Sequence, residues 1–187
     1  MIISYHGVEC FKIAQGDLSL VLNPTSKLSA DVTLFTSKSG LPIEASAKAG
    51  FVIDGPGEYE NKDIFIKGFL SEAKDHLNTI YLITFEGMKL CFLGALSNPE
   101  LKSETLEAIE DVDILFVPVN TLGPAAAYKL AVSLEPAIII PMDFDKTTLE
   151  QFKKEGGVKN GDTMDKLVIK KKDLEGKEGD IIVLKEE

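Results

Sequence analysis

The sequence predicts an α/β fold in which two sheets carry helices on their outer faces. Three observations lead to this prediction: short strand-like segments fill the first half, strands and helices alternate after residue 98, and strand-like segments return at the end. No short-period repeat or low-complexity linker interrupts the 187 residues. We therefore expect a single domain over residues 1–187.

The first half consists of short apolar or alternating segments separated by turn residues. Strands are expected at 1–5, 9–14, 18–22, 31–36, 51–54, 64–69, 79–85 and 89–93. The pair Glu86-Gly87 separates the last two and predicts a tight antiparallel hairpin. Residues 55–59 (GPGEY) lack the lysine and the following helix of a phosphate-binding loop, so they predict a tight turn.

From residue 98 onward the pattern changes to helical spacing. Pro99 is well placed at a helix start, and Leu101, Leu106 and Ile109 follow at helical intervals. The next segments are a strand at 114–117, a helix at 124–134 and a strand at 137–140. This alternation predicts neighbouring parallel strands covered by helices. A third helix is expected at 147–154, with closing strands at 167–171 and 180–184.

The charge balance argues against polyanionic partners. The chain has 20 basic and 30 acidic residues and a formal net charge of -10, and every basic residue is a lysine. Such a chain is repelled by nucleic acid and by anionic lipid. It also lacks the guanidinium group that grips phosphate or carboxylate in a bidentate way. We expect no nucleic-acid partner and no membrane partner.

The cysteines and the chain start indicate the environment. Cys10 and Cys91 each lie in an apolar, strand-like segment, which favours a buried structural role for both. No charged leader precedes an apolar segment, and no apolar segment approaches the roughly 20 residues that span a bilayer. The expected compartment is the cytoplasm.

Several local phrases carry a family resemblance over essentially the whole chain. They are ISYHGVECF (3–11), VIDGPGEYE (52–60), CFLG (91–94), VDILFVPV (112–119), IIIPM (138–142) and DKLVIKKKDL (165–174). With these phrases the sequence resembles the metallo-β-lactamase superfamily, and within it the small predicted zinc-dependent hydrolases related to ascorbate-6-phosphate lactonase. The resemblance implies a four-layer αββα sandwich with mixed sheets.

The same resemblance implies where metal ligands belong. In such enzymes a loop of the form His-x-His-x-Asp-His, with further histidines and an aspartate from later strand ends, holds one or two zinc ions and a hydroxide. In this chain the corresponding positions are Ser37, Ser39, Leu41 and Pro42 in the loop, Phe92 for a histidine, Ala95 for the bridging aspartate, Asp143 for the last histidine and Val8 for an early one.

These substitutions remove the metal chemistry. Hydroxyl and apolar side chains are poor ligands for zinc, and Asp143 alone retains a donor among these positions. We therefore expect no metal and no cofactor. The predicted function is that of a non-catalytic binding or interaction protein, a pseudo-hydrolase with an unknown small-molecule or protein partner. Its vestigial cleft is expected to be lined by Ser37, Lys38, Ser39, Phe92, Ala95 and Asp143.

Three alternatives stay open at this point. One is a hydrolase with a rebuilt site around Asp143, Ser37 and Ser39, although no histidine falls where it could relay the proton. Another is a relocated metal site drawn from His6, Cys10, Cys91, Asp54 and Glu58, whose spacing matches no recognised ligand pattern. The last is an assembly module or homo-oligomer with its cleft plugged by Phe92 and Pro42. His6 is expected at a strand end or in solvent, and His76 is expected to be exposed.

Overall fold

The chain forms two packed β-sheets, with helices along one of them. The computed structural model describes residues 1–25, 28–37, 50–158 and 163–187. The strands are β1 (Ile2–Tyr5), β2 (Phe11–Gln15), β3 (Leu18–Leu22), β4 (Val32–Leu34), β5 (Phe51–Ile53), β6 (Gly57–Asn61), β7 (Ile64–Glu72), β8 (Leu77–Phe85), β9 (Met88–Phe92), β10 (Ile114–Pro118), β11 (Ile138–Met142), β12 (Thr163–Met164), β13 (Lys166–Val168), β14 (Asp180–Ile181) and β15 (Val183–Leu184). The helices are α1 (Ser103–Ala108), α2 (Val119–Leu122), α3 (Pro124–Ser133) and α4 (Lys146–Glu155), with a 3₁₀ helix at Lys171–Leu174.

Both large sheets are mixed, as predicted. The six-stranded sheet has the order β13-β1-β2-β3-β4-β5, antiparallel as far as β3 and parallel from β3 to β5. The seven-stranded sheet has the order β14-β11-β10-β9-β8-β7-β6, antiparallel from β6 to β9 and parallel from β9 to β14. A short parallel pair joins β12 to β15. The predicted αββα sandwich class is confirmed.

The predicted hairpin and the predicted parallel pair are both present. Glu86 and Gly87 have φ values of 52° and 72°, and β8 pairs antiparallel with β9 on either side of them. Positive φ at both central residues is the geometry of the turn that suits the twist of a hairpin. Strands β10 and β11 pair in parallel, with α3 between them in the chain.

Aromatic side chains fill the space between the two sheets. Phe11 of the six-stranded sheet lies with its ring centroid 4.8 Å from that of Phe116 and 6.1 Å from that of Phe92, both from the seven-stranded sheet. All three rings are fully buried. Edge-to-face contacts of this kind add to the stabilisation from burial alone, so this cluster holds the two sheets together.

The central strands of the seven-stranded sheet are buried on both faces. Ile114 and Phe116 of β10 point between the sheets, whereas Leu115 and Val117 belong to a second apolar cluster. That second cluster includes Leu130 of α3. Continuous apolar segments are therefore required in β9, β10 and β11, which explains why these strands do not alternate apolar and polar residues. In the parts of the chain that the structure describes, α2, α3 and α4 contribute buried side chains to this second cluster.

Strands of both sheets end along one edge of the sandwich, which we call the carboxyl edge. Strands β3 and β4 end there in one sheet, and β9, β10 and β11 end there in the other, because parallel neighbours finish on the same side. Two backbone hydrogen bonds join the sheets along it: Thr79 N–H donates to Thr36 O at 2.8 Å, and Asp143 N–H donates to Val8 O at 2.7 Å.

Three local expectations were wrong. Residues 57–61 form strand β6, and the turn is confined to the residues before it, where Tyr59 Oη donates to the carbonyls of Gly55 and Pro56. Helix α1 begins at Ser103 instead of near Pro99, after a turn closed by Glu100 N–H on Asn98 Oδ1. The expected strand at 167–171 ends at Val168, and a 3₁₀ helix follows it.

The expectations for the cysteines are confirmed, since Cys10 and Cys91 are both free and buried. Within the ranges that the structure describes, no helix combines the length and hydropathy needed to cross a lipid bilayer.

Gly94 follows β9, and both its backbone conformation and its crowded surroundings exclude a side chain. Its φ is +58°, and a Cβ there would lie 2.4 Å from Asn78 Oδ1 and 2.8 Å from Thr36 Cγ2. We expect Gly94→Ala to lower the free energy of unfolding by about 3 kcal/mol, from backbone strain and steric overlap together. Urea denaturation measures this loss.

Gly87→Ala is the matched control, because Gly87 has φ +72° and no atom within 4 Å of an added Cβ. It should lose only about 1 kcal/mol, the cost of the left-handed backbone. Equal losses in the two variants would show that the crowding at Gly94 is unimportant.

Candidate functional site

A cleft opens at the carboxyl edge between the two sheets. Its volume is about 440 Å³, and it is lined by residues that follow β1, β3, β4 and β9 and by the turn that precedes β8. The polar lining includes Glu9, Asn23, Thr36, Ser37 and His76. Because clefts at strand ends are the usual ligand sites of parallel sheets, this cleft is the candidate site.

Asn23 organises the polar side of the cleft. Its Nδ2 donates to Glu9 Oε2 at 2.8 Å and to Thr36 Oγ1 at 2.9 Å, and its Oδ1 accepts from Thr36 N–H at 2.8 Å. Asn23 directly follows β3 with a φ of 43°, a left-handed conformation that asparagine tolerates better than most residues. One side chain thus connects the turn after β1 with the ends of β3 and β4.

Glu9 is a carboxylic acid of the cleft whose pKa is shifted by its surroundings. Burial and then the negative charge of Asp143 raise the pKa of Glu9 from 4.5 to about 7, although the hydrogen bond from Asn23 opposes the shift. Both raising effects disfavour the ionised carboxylate. Glu9 therefore changes its protonation state near neutral pH.

Asn78 fixes the opposite wall. This side chain is fully buried, and its Nδ2 donates to Leu93 O at 2.9 Å and to Ser71 Oγ at 2.8 Å. Its Oδ1 accepts from Ala95 N–H at 3.0 Å. The amide thereby holds the end of β9, with Ala95 facing the cleft.

Val8 is held in a strained backbone conformation at the rim. Its φ is 53°, which is rare for a β-branched residue, and its side chain is 61% exposed. The Val8 carbonyl accepts from Asp143 N–H at 2.7 Å and from Tyr5 Oη at 3.1 Å. Strained residues of this kind concentrate at functional sites, where surrounding contacts maintain them.

The structure brings together only part of the predicted site. Ser37 and Ala95 line the cleft. Asp143 does not, because its Oδ2 accepts from Thr121 N–H at 3.1 Å and from Thr121 Oγ1 at 2.7 Å in the first turn of α2. Lys38 and Ser39, with Leu41 and Pro42, lie outside the described residues.

The expectation that Phe92 lines or plugs the cleft requires correction. Phe92 is fully buried between the sheets, with its ring centroid 5.7 Å from that of Phe116. The alternation along β9 turns Phe92 and Leu90 into the inter-sheet core, and it turns Cys91 and Leu93 toward the helices. A position that resembles a ligand site in the sequence is thus a core position in this chain.

The donor set does not fit zinc. Ala95 offers a methyl group, Phe92 is in the core, and the Asp143 carboxylate is occupied by Thr121. Across the described ranges, no three or more histidine, cysteine, aspartate or glutamate side chains are placed to hold a metal ion. The undescribed segment 38–49 contains one such residue in its sequence, Glu44. The set proposed for a relocated metal site does not form a cluster.

The two histidines lie where expected. His6 directly follows β1 and is half-buried, with Nε2 at 3.3 Å from Ser4 Oγ and at 4.0 Å from Glu187 Oε2. His76 is exposed, in the turn between β7 and β8, but it also lines the cleft.

An apolar extension adjoins the polar cleft. A second cavity of about 480 Å³ shares Thr36, Ser37 and His76 with the first. Its remaining wall includes the apolar side chains of Pro56, Tyr59, Leu70 and Leu77. The candidate site therefore has a polar end and an apolar end, which meet at the residues that follow β4.

Sequence reasoning missed Glu9, Asn23 and the apolar end. Asn23-Pro24 at the end of a predicted strand is a turn signal that could have marked this position, although it indicates no role. Glu9 lies within segment 3–11, which carries the family resemblance, and nothing in the sequence distinguishes it from its neighbours there. Leu70 and Leu77 could be recognised only once β7 and β8 were paired.

Comparisons with known proteins agree with the geometry. The family model described as a β-lactamase superfamily domain matches residues 2–143. A predicted zinc-dependent hydrolase of the metallo-β-lactamase superfamily from Thermotoga maritima is 28% identical, with a TM-score of 0.82 over 98% of this chain and 97% of that one. Comparison with curated protein sequences gives no match.

Two more distant structures share the fold. A predicted metal-dependent hydrolase from Parabacteroides distasonis is 18% identical, with a TM-score of 0.70 over 98% of this chain and 93% of that one. A metallo hydrolase from Ignicoccus hospitalis is 12% identical, with a TM-score of 0.65 over 99% of this chain and 95% of that one.

The raised pKa of Glu9 makes stability depend on pH. The folded protein binds this proton more tightly than the unfolded chain does. The free energy of unfolding is therefore highest below pH 4.5, where Glu9 is protonated in both states, and it falls as the pH rises toward about 7. The fall amounts to up to about 3 kcal/mol. Urea denaturation of wild type and Glu9→Gln from pH 4 to pH 8 should show this loss in the wild type only.

Glu60→Gln is the control, since Glu60 is an exposed carboxylate on the edge strand β6. This variant should retain the wild-type pH profile. Parallel profiles for wild type and Glu9→Gln would contradict the role of Glu9.

The strained backbone at Val8 predicts a stabilising substitution. Val8→Gly removes the steric cost of the φ of 53°, but it also raises the conformational entropy of the unfolded chain. We expect the free energy of unfolding, measured by urea denaturation, to rise by about 1 kcal/mol. Val168 is similarly exposed, at 63%, but lies in β13. Val168→Gly should lose about 1 kcal/mol. A loss in both variants would mean that Val8 is not strained.

Proposed function

The chain belongs to the β-lactamase superfamily domain family, and from that premise we propose that it binds a small molecule at the carboxyl edge without metal-dependent hydrolysis. The observation that carries this proposal is the internal pairing of polar groups along that edge. Asn23 joins Glu9 to Thr36, and Asp143 pairs with Thr121.

This pairing contrasts with what catalysis by a metal hydroxide requires. Such a site needs about three protein donors that converge on one point and remain open toward the metal. Here the one acidic side chain at a family ligand position is bonded to Thr121, and the position of the bridging aspartate is Ala95. These features support a binding function in which the fold persists and the metal chemistry does not.

The cleft formed by the described residues supports binding over a purely structural role. Its volume of about 440 Å³ lies in the range that small-molecule sites occupy, and Phe92, which could have filled it, belongs to the core. Two exposed apolar residues also support binding: Val8 lines this cleft, and Leu77 lines the adjoining cavity. We place the protein in the cytoplasm as part of this proposal, since both of its cysteines are free thiols.

The alternative is a hydrolase with a rebuilt site around Asp143, Ser37 and Ser39. The contacts of Asp143 disfavour it, because its carboxylate is directed to Thr121 and does not line the cleft that contains Ser37. A homo-oligomer remains compatible with ligand binding, and light scattering would measure it.

Metal content and turnover decide between binding and hydrolysis. Protein purified without chelator should contain far less than one equivalent of zinc or manganese by mass spectrometry. It should also turn over no ester, lactone, phosphodiester or thioester. Stoichiometric metal, or turnover that Asp143→Ala abolishes and Asp145→Ala retains, would overturn the proposal. Asp145 is a suitable control, because it is exposed and caps α4.

Ligand binding itself is tested with a chemically diverse set of anions, cations and neutral compounds in a thermal-shift screen. Compounds that raise the melting temperature of the wild type should have no effect on Ala95→Phe, whose ring would fill the cleft. Ala14→Phe, on β2 away from the cleft, should respond as the wild type does. If no compound in the set stabilises the wild type, small-molecule binding at this cleft is refuted.

A further inference from the structure

We propose that the cleft takes a small amphipathic organic cation, with its ammonium group at Glu9 and its apolar body against Leu70 and Leu77. This inference rests on the proposed function and specifies its ligand class.

Among the described residues, the carboxylate at the polar end has no positively charged partner. Glu9 Oε2 accepts a hydrogen bond from the neutral amide of Asn23. Within the described residues, no lysine or histidine nitrogen lies within ion-pair distance of Glu9. A second carboxylate, Asp143, lies near enough for its charge to act on Glu9. A buried carboxylate near another negative charge is costly to ionise unless a cation pairs with it, and the described residues supply no such cation to Glu9.

A bound ammonium group would offset that cost. It brings a positive charge and several N–H donors to a carboxylate that has spare acceptor capacity. The raised pKa of Glu9 has the same physical origin, because uptake of a proton removes the negative charge of the buried carboxylate. A cationic ligand would compete with that proton for the Glu9 carboxylate.

Anionic ligands are disfavoured by the same surroundings. No lysine is found among the described residues that line either half of the site. The chain contains no arginine, and its net charge is -10. An anion in the cleft would meet the Glu9 carboxylate without a compensating cation from the described lining residues, at a cost that rises as water is excluded.

The apolar end of the site indicates that the ligand has an apolar part in addition to its ammonium group. Leu77 is 64% exposed and Leu70 is 44% exposed, and both line the second cavity beside Pro56 and Tyr59. Large apolar side chains that converge on a cavity while remaining exposed mark a surface that a ligand covers. Because the two cavities share Thr36 and Ser37, one molecule can contact both ends.

The test compares three probes that differ in the charge of one group: 2-phenylethylamine, 2-phenylethanol and phenylacetate. Calorimetric or NMR titration at pH 8 and low salt should give an affinity for the amine at least about tenfold above that for the alcohol. Phenylacetate should bind most weakly. Equal affinities, or preference for phenylacetate, would overturn the cation assignment while leaving small-molecule binding intact.

Two variants locate the binding mode. Glu9→Gln retains an acceptor for Asn23, and it should remove the roughly tenfold preference for the amine over the alcohol. Leu77→Ser changes an exposed side chain, and it should weaken the amine and the alcohol alike. Val168→Ser, exposed on β13, should change neither affinity. An amine preference that survives Glu9→Gln, or binding that is insensitive to Leu77→Ser, would refute the proposed site.

Failure of this inference differs from failure of the proposed function. If 2-phenylethylamine does not bind while an anion or a neutral compound from the thermal-shift set does, the ligand class is wrong and the binding function stands. If the protein instead carries stoichiometric metal and hydrolyses a substrate, the function itself is wrong.

Discussion

The contact among Phe11, Phe92 and Phe116 is the constraint on which the rest of the structure depends. These rings join the two sheets and fix their separation and relative position. The parallel strands within each sheet finish together, and the hydrogen bonds from Thr79 to Thr36 and from Asp143 to Val8 join the two sets of strand ends. The rings fill the interior between the sheets, and the cleft lies beyond them at this edge.

The same constraint explains how the edge can lose metal ligands and keep its shape. An empty set of converging carboxylates and imidazoles would be costly in a desolvated cleft. Here the side chain of Asn23 is hydrogen-bonded to Glu9 and Thr36, and these bonds hold the turn after β1 and the ends of β3 and β4 in place. Asn78 does the same for the end of β9. The frame is stabilised by hydrogen bonds within the protein.

Much of the fold could be predicted because its signals are local. Apolar segments bounded by turn residues located most strands, and Glu86-Gly87 identified its hairpin. Strand β6 could not be predicted, because residues 57–61 are exposed or half-buried and gain their strand conformation from pairing with β7. The start of α1 was misplaced for a related reason: the side chain of Asn98 closes a turn that competes with the helix.

What the sequence by itself determined is the αββα frame and the absence of family ligands at positions such as Ala95, since periodicity and residue identity are properties of the chain alone. Only the tertiary structure decided which of those positions face a cleft. It moved Phe92 into the core, turned Asp143 toward Thr121, and placed Glu9 beside Asn23 in a cleft. Burial, charge proximity and the direction of a side chain arise from residues far apart in the chain, so no local pattern encodes them.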